Sequence, residues 1–119
     1  MEKIHSLTGM MDLISNTTDK EDLSNKVFFT EKVLKNIFEN FSMSEIRTPS
    51  LEDTNLFKRS VGDTSDIVNK ELYSFLDKND KSITLRPEGT ASVIRSLIEK
   101  KIDGDSHKLW YLGSMWRYE

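Results

Sequence analysis

Thr84-Leu85-Arg86-Pro87-Glu88-Gly89-Thr90 is the stretch from which the rest of this chain can be read. The β-favouring run Ile83, Thr84, Leu85 enters it, and a helical pattern, Ala91 to Ile102, leaves it. Between them a proline, a carboxylate, a glycine and a hydroxyl occupy consecutive positions. Such a strand-to-helix junction gathers polar groups at a helix N-terminus, a common place to build a small-molecule site. Glu88 there suits the positive end of the helix dipole, Thr90 suits a cap, and Gly89 suits a tight turn. The same carboxylate and hydroxyl, held side by side, also suit an ammonium group on a ligand. On these residues alone both readings stand.

Working outward, Leu72-Tyr73-Ser74-Phe75-Leu76 and Ser82-Ile83-Thr84-Leu85 flank Asp77-Lys78-Asn79-Asp80-Lys81, which predicts a β-hairpin. The helix after the junction, 90–102, places Ile94, Leu97, Ile98 and Ile102 on one face. Further upstream, Thr18-Asp19-Lys20-Glu21 fits a capping box, followed by a long amphipathic helix to about Asn40. Its stripe, Val27, Leu34, Ile37, Phe38 and Phe41, suits either a core or a partner subunit. Ser44 to Thr48 reads as a short strand ended by Pro49, and a short helix is expected around Asn55 to Ser60, stopping near Gly62. Residues 61–70 are polar and ambiguous. The mixture of hairpin and helices predicts an α+β fold, an antiparallel sheet with flanking helices.

The final segment, Leu109 to Glu119, is expected to be a strand. Alternation with period two puts Met115, Arg117 and Glu119 on one face and Trp116 and Tyr118 on the other. Arg117 and Glu119 then form either a surface ion pair or the polar floor of a pocket, where a guanidinium grips an oxyanion through two hydrogen bonds.

Composition narrows the chemistry. The chain has 119 residues, no cysteine, and a formal charge of -3. Disulfides, thiolate catalysis and cysteine-ligated metals are excluded. His5 and His107 lie far apart without metal-ligand spacing, so no metal site is expected. The acidic balance argues against a broad basic face for nucleic acid. No apolar run approaches a membrane span, the N-terminus lacks a hydrophobic targeting segment, and a cytoplasmic protein is expected.

Several blocks, in order, resemble the histidyl-tRNA synthetase family of class II aminoacyl-tRNA synthetases, and the resemblance covers nearly the whole of residues 1–119. Gly9-Met10-Met11-Asp12 is similar to the family's N-terminal signature, with Thr8 where the family usually has arginine. The helix and strand at about 24–49, ending in Pro49, resemble motif 1, which forms the family's dimer interface. Leu56 to Gly62 and Lys70 to Phe75 match the segment between. Residues 84–90 resemble the block that holds the amino acid, and 109–119 the start of motif 2.

The resemblance implies a ligase that activates histidine with ATP and transfers it to tRNA(His), acting as a homodimer through the motif 1 helix and strand. It implies that Glu88, Gly89 and Thr90 bind the histidine ammonium end. Arg117 would be catalytic, placed against both the substrate carboxylate and the α-phosphate, and Glu119 would lie in the ATP site. Mg2+ is expected with ATP, with no ligand assignable here. Because the match ends within motif 2, the 119 residues alone are expected to be inactive. A non-catalytic relative, the histidine-sensing regulatory subunit of ATP phosphoribosyltransferase, is the alternative. Its usual departure from the Pro-Glu-Gly-Thr block is not found at Pro87 to Thr90.

Overall fold

The structure, a computed structural model, describes residues 1–61 and 71–118. The chain divides into two compact units, Met1–Met43 and Ser44–Glu119.

In the first unit the helix α1 spans Ser24–Asn40, close to the expected C-terminal bound. The expected capping box does not form. Thr17 and Asp19 instead accept hydrogen bonds from N–H groups two residues on, Asp19 and Glu21, at 3.2 and 3.0 Å. Short polar side chains that satisfy the backbone locally compete with helix, and they delay its start. The helix begins where Asp22 accepts the Ser24 N–H at 2.7 Å and the buried Ser24 hydroxyl accepts the Ile14 N–H at 3.0 Å. Of its stripe, Ile37 and Phe41 are exposed, Phe41 at 69%, while Val27, Leu34 and Phe38 are half-buried; Phe28, Phe29 and Val33, outside the stripe, are exposed too.

α1 closes by a Schellman turn. Ser42 N–H donates to Glu39 O and Met43 N–H to Phe38 O, each at 3.0 Å, with Ser42 at φ 59°.

The second unit carries a three-stranded antiparallel sheet in the order β2-β4-β3, where β2 is Leu51–Asp53, β3 Ser74–Leu76 and β4 Ser82–Leu85. The hairpin β3–β4 is as expected, turned by Asp77, whose carboxylate accepts the N–H groups of Asn79 and Lys81. β1, Ser44–Glu45, pairs parallel with β5, Leu109–Trp110. Helix α2 is Thr54–Val61 and α3 is Thr90–Glu99.

Two expectations change here. The strand expected over 109–119 is regular only at Leu109–Trp110. Beyond it the Trp116 N–H donates to Arg86 O at 2.9 Å and the Tyr118 N–H to Glu71 O at 2.8 Å. The segment is held by two different stretches in turn, so no continuous ladder builds. The second change is the face of α3. Ala91, Ser92 and Ser96 are buried, while Ile94 and Ile98 are 50% and 55% exposed. This helix packs against α2, and Arg95 reaches Glu52 of β2 with 2.6 and 2.8 Å contacts. α3 also stops earlier than 102, in a second Schellman turn with Lys101 at φ 59°.

Among the described residues the buried apolar side chains are Phe57, Ala91 and Trp110. Polar groups fill much of the remaining interior. Thr84, fully buried in the central strand, shares 2.7 Å hydrogen bonds with Thr54 and Ser74, and Thr54 bonds Ser82 at 2.7 Å.

Candidate active site

β4 delivers the chain into Pro87 and Glu88, and α3 starts immediately after, with Gly89 at its N-cap. The Glu88 carboxylate caps the helix: Oε2 accepts the Thr90 N–H at 2.6 Å, and Oε1 accepts the Ala91 N–H at 3.0 Å. The capping role is therefore realised. It does not exhaust the group, because an ionised carboxylate offers about four lone-pair sites. Two backbone N–H groups fix its orientation and leave acceptor capacity for a ligand.

A cavity of about 570 Å3 opens beside this corner, lined by Pro87, Glu88, Gly89, Tyr111, Met115 and Arg117. Met115 and Arg117 thus share one side, as alternation requires, although the segment is not a regular strand. Arg117 Nε donates to the Pro87 carbonyl at 3.2 Å, which ties the guanidinium to the same turn that presents Glu88. Cation and carboxylate are brought to one cavity from residues nearly thirty positions apart. Glu119 lies outside the described residues.

Thr90 takes a different place from Gly89. It lines an adjoining apolar groove of about 800 Å3, together with Glu88, Leu56, Ala91, Ile94 and Ile98. Its hydroxyl meets the Tyr111 hydroxyl at 3.2 Å, so Tyr111 links the two spaces. Tyr111 had no role in the sequence reading. The Tyr111 ring lies so close over Gly89 that a Cβ there would collide with it. Glycine is required at 89 by close approach of an aromatic ring and not by a left-handed turn. The one signal in the sequence was the aromatic pair Trp110-Tyr111, in which Trp110 is buried and Tyr111 faces the cavity.

Among the described residues no group of three or more His, Asp or Glu side chains is placed to hold a metal ion. His107 donates through Nε2 to the Ile102 carbonyl at 2.7 Å. No helix among them is long and apolar enough to cross a membrane.

The fold is similar to part of histidyl-tRNA synthetase, a class II aminoacyl-tRNA synthetase. The chain superposes on apo histidyl-tRNA synthetase of S. aureus with a TM-score of 0.73 and 39% identity, covering 98% of this chain and 30% of that one. In sequence it is similar to histidine–tRNA ligases: 55% identical over 94 residues to that of Macrococcus caseolyticus, and 54% over 101 residues to that of Staphylococcus carnosus. The Desulfitobacterium hafniense enzyme matches at 49% over 114 residues, 93% of this chain. The chain spans about a quarter of the length of these curated relatives (22%, 24% and 25%). No protein-family model matches it. A Bacillus halodurans protein described as an ATP phosphoribosyltransferase regulatory subunit/histidyl-tRNA synthetase shares the fold, with a TM-score of 0.63 at 21% identity. That likeness is one of fold alone and does not favour the regulatory alternative.

Proposed function

We propose that these residues form the ammonium-binding corner and the motif 2 arginine of a histidine–tRNA ligase, which activates histidine with ATP before transfer to tRNA(His). The observation that carries this reading is the shared cavity of Glu88, Gly89 and Arg117, with Arg117 anchored on Pro87. An α-amino acid presents a cation and an anion on one carbon. Glu88 and the Thr90 hydroxyl receive the ammonium, and Arg117 receives the carboxylate.

Activation brings the histidine carboxylate against the α-phosphorus of ATP as pyrophosphate departs, so two anions must approach. A guanidinium already fixed in place offsets their repulsion without reorganising, an effect worth roughly 3 kcal/mol for one such donor. Glu88 has a second task. The N-terminus of α3 carries a positive partial charge that would repel the ammonium, and the capping carboxylate reverses the local sign. Glu119 joins the ATP side of the site. Mg2+ arrives with ATP, and no residue here is assigned to it.

The exposed apolar side chains of α1, Phe28, Phe29, Ile37 and Phe41, support a homodimer interface through α1 and β1. The cytoplasm, where tRNA is charged, is the expected compartment. With about a quarter of the relatives' length present, the 119 residues alone are expected to give no ATP–pyrophosphate exchange.

The test uses the full-length enzyme carrying this segment. Glu88→Ala should raise the KM for histidine, and Arg117→Lys should lower the exchange rate at saturating histidine, because lysine lacks the planar fork. Unchanged histidine affinity in the first variant together with a normal rate in the second would remove the assignment.

A further inference from the structure

We propose that Arg86, which touches neither cavity, is the positioning residue that sets Arg117 in place; this rests on the role given to Arg117 above. Arg86 is buried at 8% exposure, an uncommon setting for an arginine. Its guanidinium spans two segments. Nη1 donates to both the carbonyl and the hydroxyl of Thr48, and Nε to the carbonyl of Ser114, all at 3.0 Å. Its backbone adds two more ties, N–H to Ser50 O and O from the Trp116 N–H, both at 2.9 Å. One residue therefore fastens the 48–50 stretch, the end of β4 and the 114–116 segment together.

The acceptors of its side chain are neutral oxygens, so these contacts fix position and do not neutralise charge. The segment they hold leads directly to Arg117, whose own anchor is the carbonyl of Pro87, the next residue after Arg86. Past Trp110 that segment has no regular ladder, so its course depends on such discrete ties. Gly113 fits the same device. A Cβ at 113 would collide with Arg86 Nη2, so the glycine keeps room for the guanidinium. Lysine at 86 retains the charge but cannot reach Thr48 and Ser114 at once, because it lacks the rigid fork.

The experiment is a double-mutant cycle in the full-length enzyme, read by ATP–pyrophosphate exchange and by amide hydrogen exchange. Arg86→Lys should lower kcat about tenfold or more with a smaller change in the KM for histidine, as displacement of one catalytic group does. Added to Arg117→Ala it should cause little further loss, since both changes remove the same function. The Trp116 amide should exchange about tenfold faster while Ile83 and Thr84 in the sheet stay protected. If Arg86→Lys does not fold, Gly113→Ala crowds the guanidinium from the other side and should give the same pattern. Losses that multiply across the cycle, or sheet amides that open with Trp116, make Arg86 a general structural residue and overturn the proposal. Normal activity in Arg86→Lys beside an inactive Arg117→Ala overturns the positioning role alone. Normal activity in Arg117→Ala overturns the functional reading instead.

Discussion

At the scale of single residues, the two roles offered for Glu88 turn out to be compatible. Its carboxylate is oriented by the helix it caps, and the same orientation aims its remaining lone pairs outward. Thr84 shows the opposite economy, a hydroxyl with no solvent at all. It sits between Thr54 and Ser74 at 2.7 Å to each, tying the central strand to the start of α2 on one side and to β3 on the other. Thr84→Val keeps the shape and removes both bonds, while the buried Thr54 hydroxyl keeps Ser82 as its partner and the exposed Ser74 hydroxyl turns to water. A loss of about 1–2 kcal/mol in unfolding free energy is expected from urea titration. The candidate-site residues Glu88, Gly89 and Arg117 were legible because they fall in short blocks; the parts of Tyr111 and Arg86 were not. Their importance comes from what lies against them, Gly89 and Gly113, which no local pattern reveals.

At the scale of elements, the ends of the helices carry the testable consequences. Ser42 and Lys101 both hold left-handed backbone that glycine adopts without steric cost. Ser42→Gly and Lys101→Gly should each stabilise by about 0.5–1 kcal/mol, measured as a rise in the denaturation midpoint.

Caps also give the fold an acid sensitivity. The Asn55 N–H at 2.9 Å holds the Asp53 carboxyl below its usual range; burial works against this, and Lys81 and Arg59 add to it. Asp22 is lowered likewise, by the Ser24 hydroxyl first and then its N–H. A depressed carboxyl contributes stability that is complete above its unfolded value, about 3.9, and is lost as pH falls through the lower folded value. Unfolding titrations of the wild type and Asp53→Asn should differ at about pH 5 and converge toward pH 2. A difference that persists unchanged at pH 2 means that the Asp53 charge is not its source.

α3 shows why element type was readable and its orientation was not. Helical spacing predicts a helix whichever face is buried. The aliphatic stripe put Ile94 and Ile98 on one face, yet the buried residues are Ala91, Ser92 and Ser96, where α3 packs against α2, and Arg95 pairs with Glu52. The capping box failed for a related reason, since Thr17 and Asp19 met their own backbone first.

For the whole molecule, the order of hairpin and helices was enough to give the α+β class with an antiparallel sheet, and the S. aureus enzyme matches it over nearly the full chain. The parallel pairing of β1 with β5 was not legible, because it joins residues 44–45 to 109–110 across most of the second unit.

That interior, with Phe57, Ala91 and Trp110 as its buried apolar members among the described residues and a network of hydroxyls beside them, has a calorimetric signature. Unfolding uncovers little hydrocarbon, so the heat-capacity increment should fall below the roughly 12–15 cal/mol/K per residue of ordinary domains. Scanning calorimetry of the 119 residues should then show a broad, shallow endotherm whose enthalpy changes little with temperature. A fold tied mainly by directional polar contacts is less weakened by cold than one that relies on water's aversion to oil.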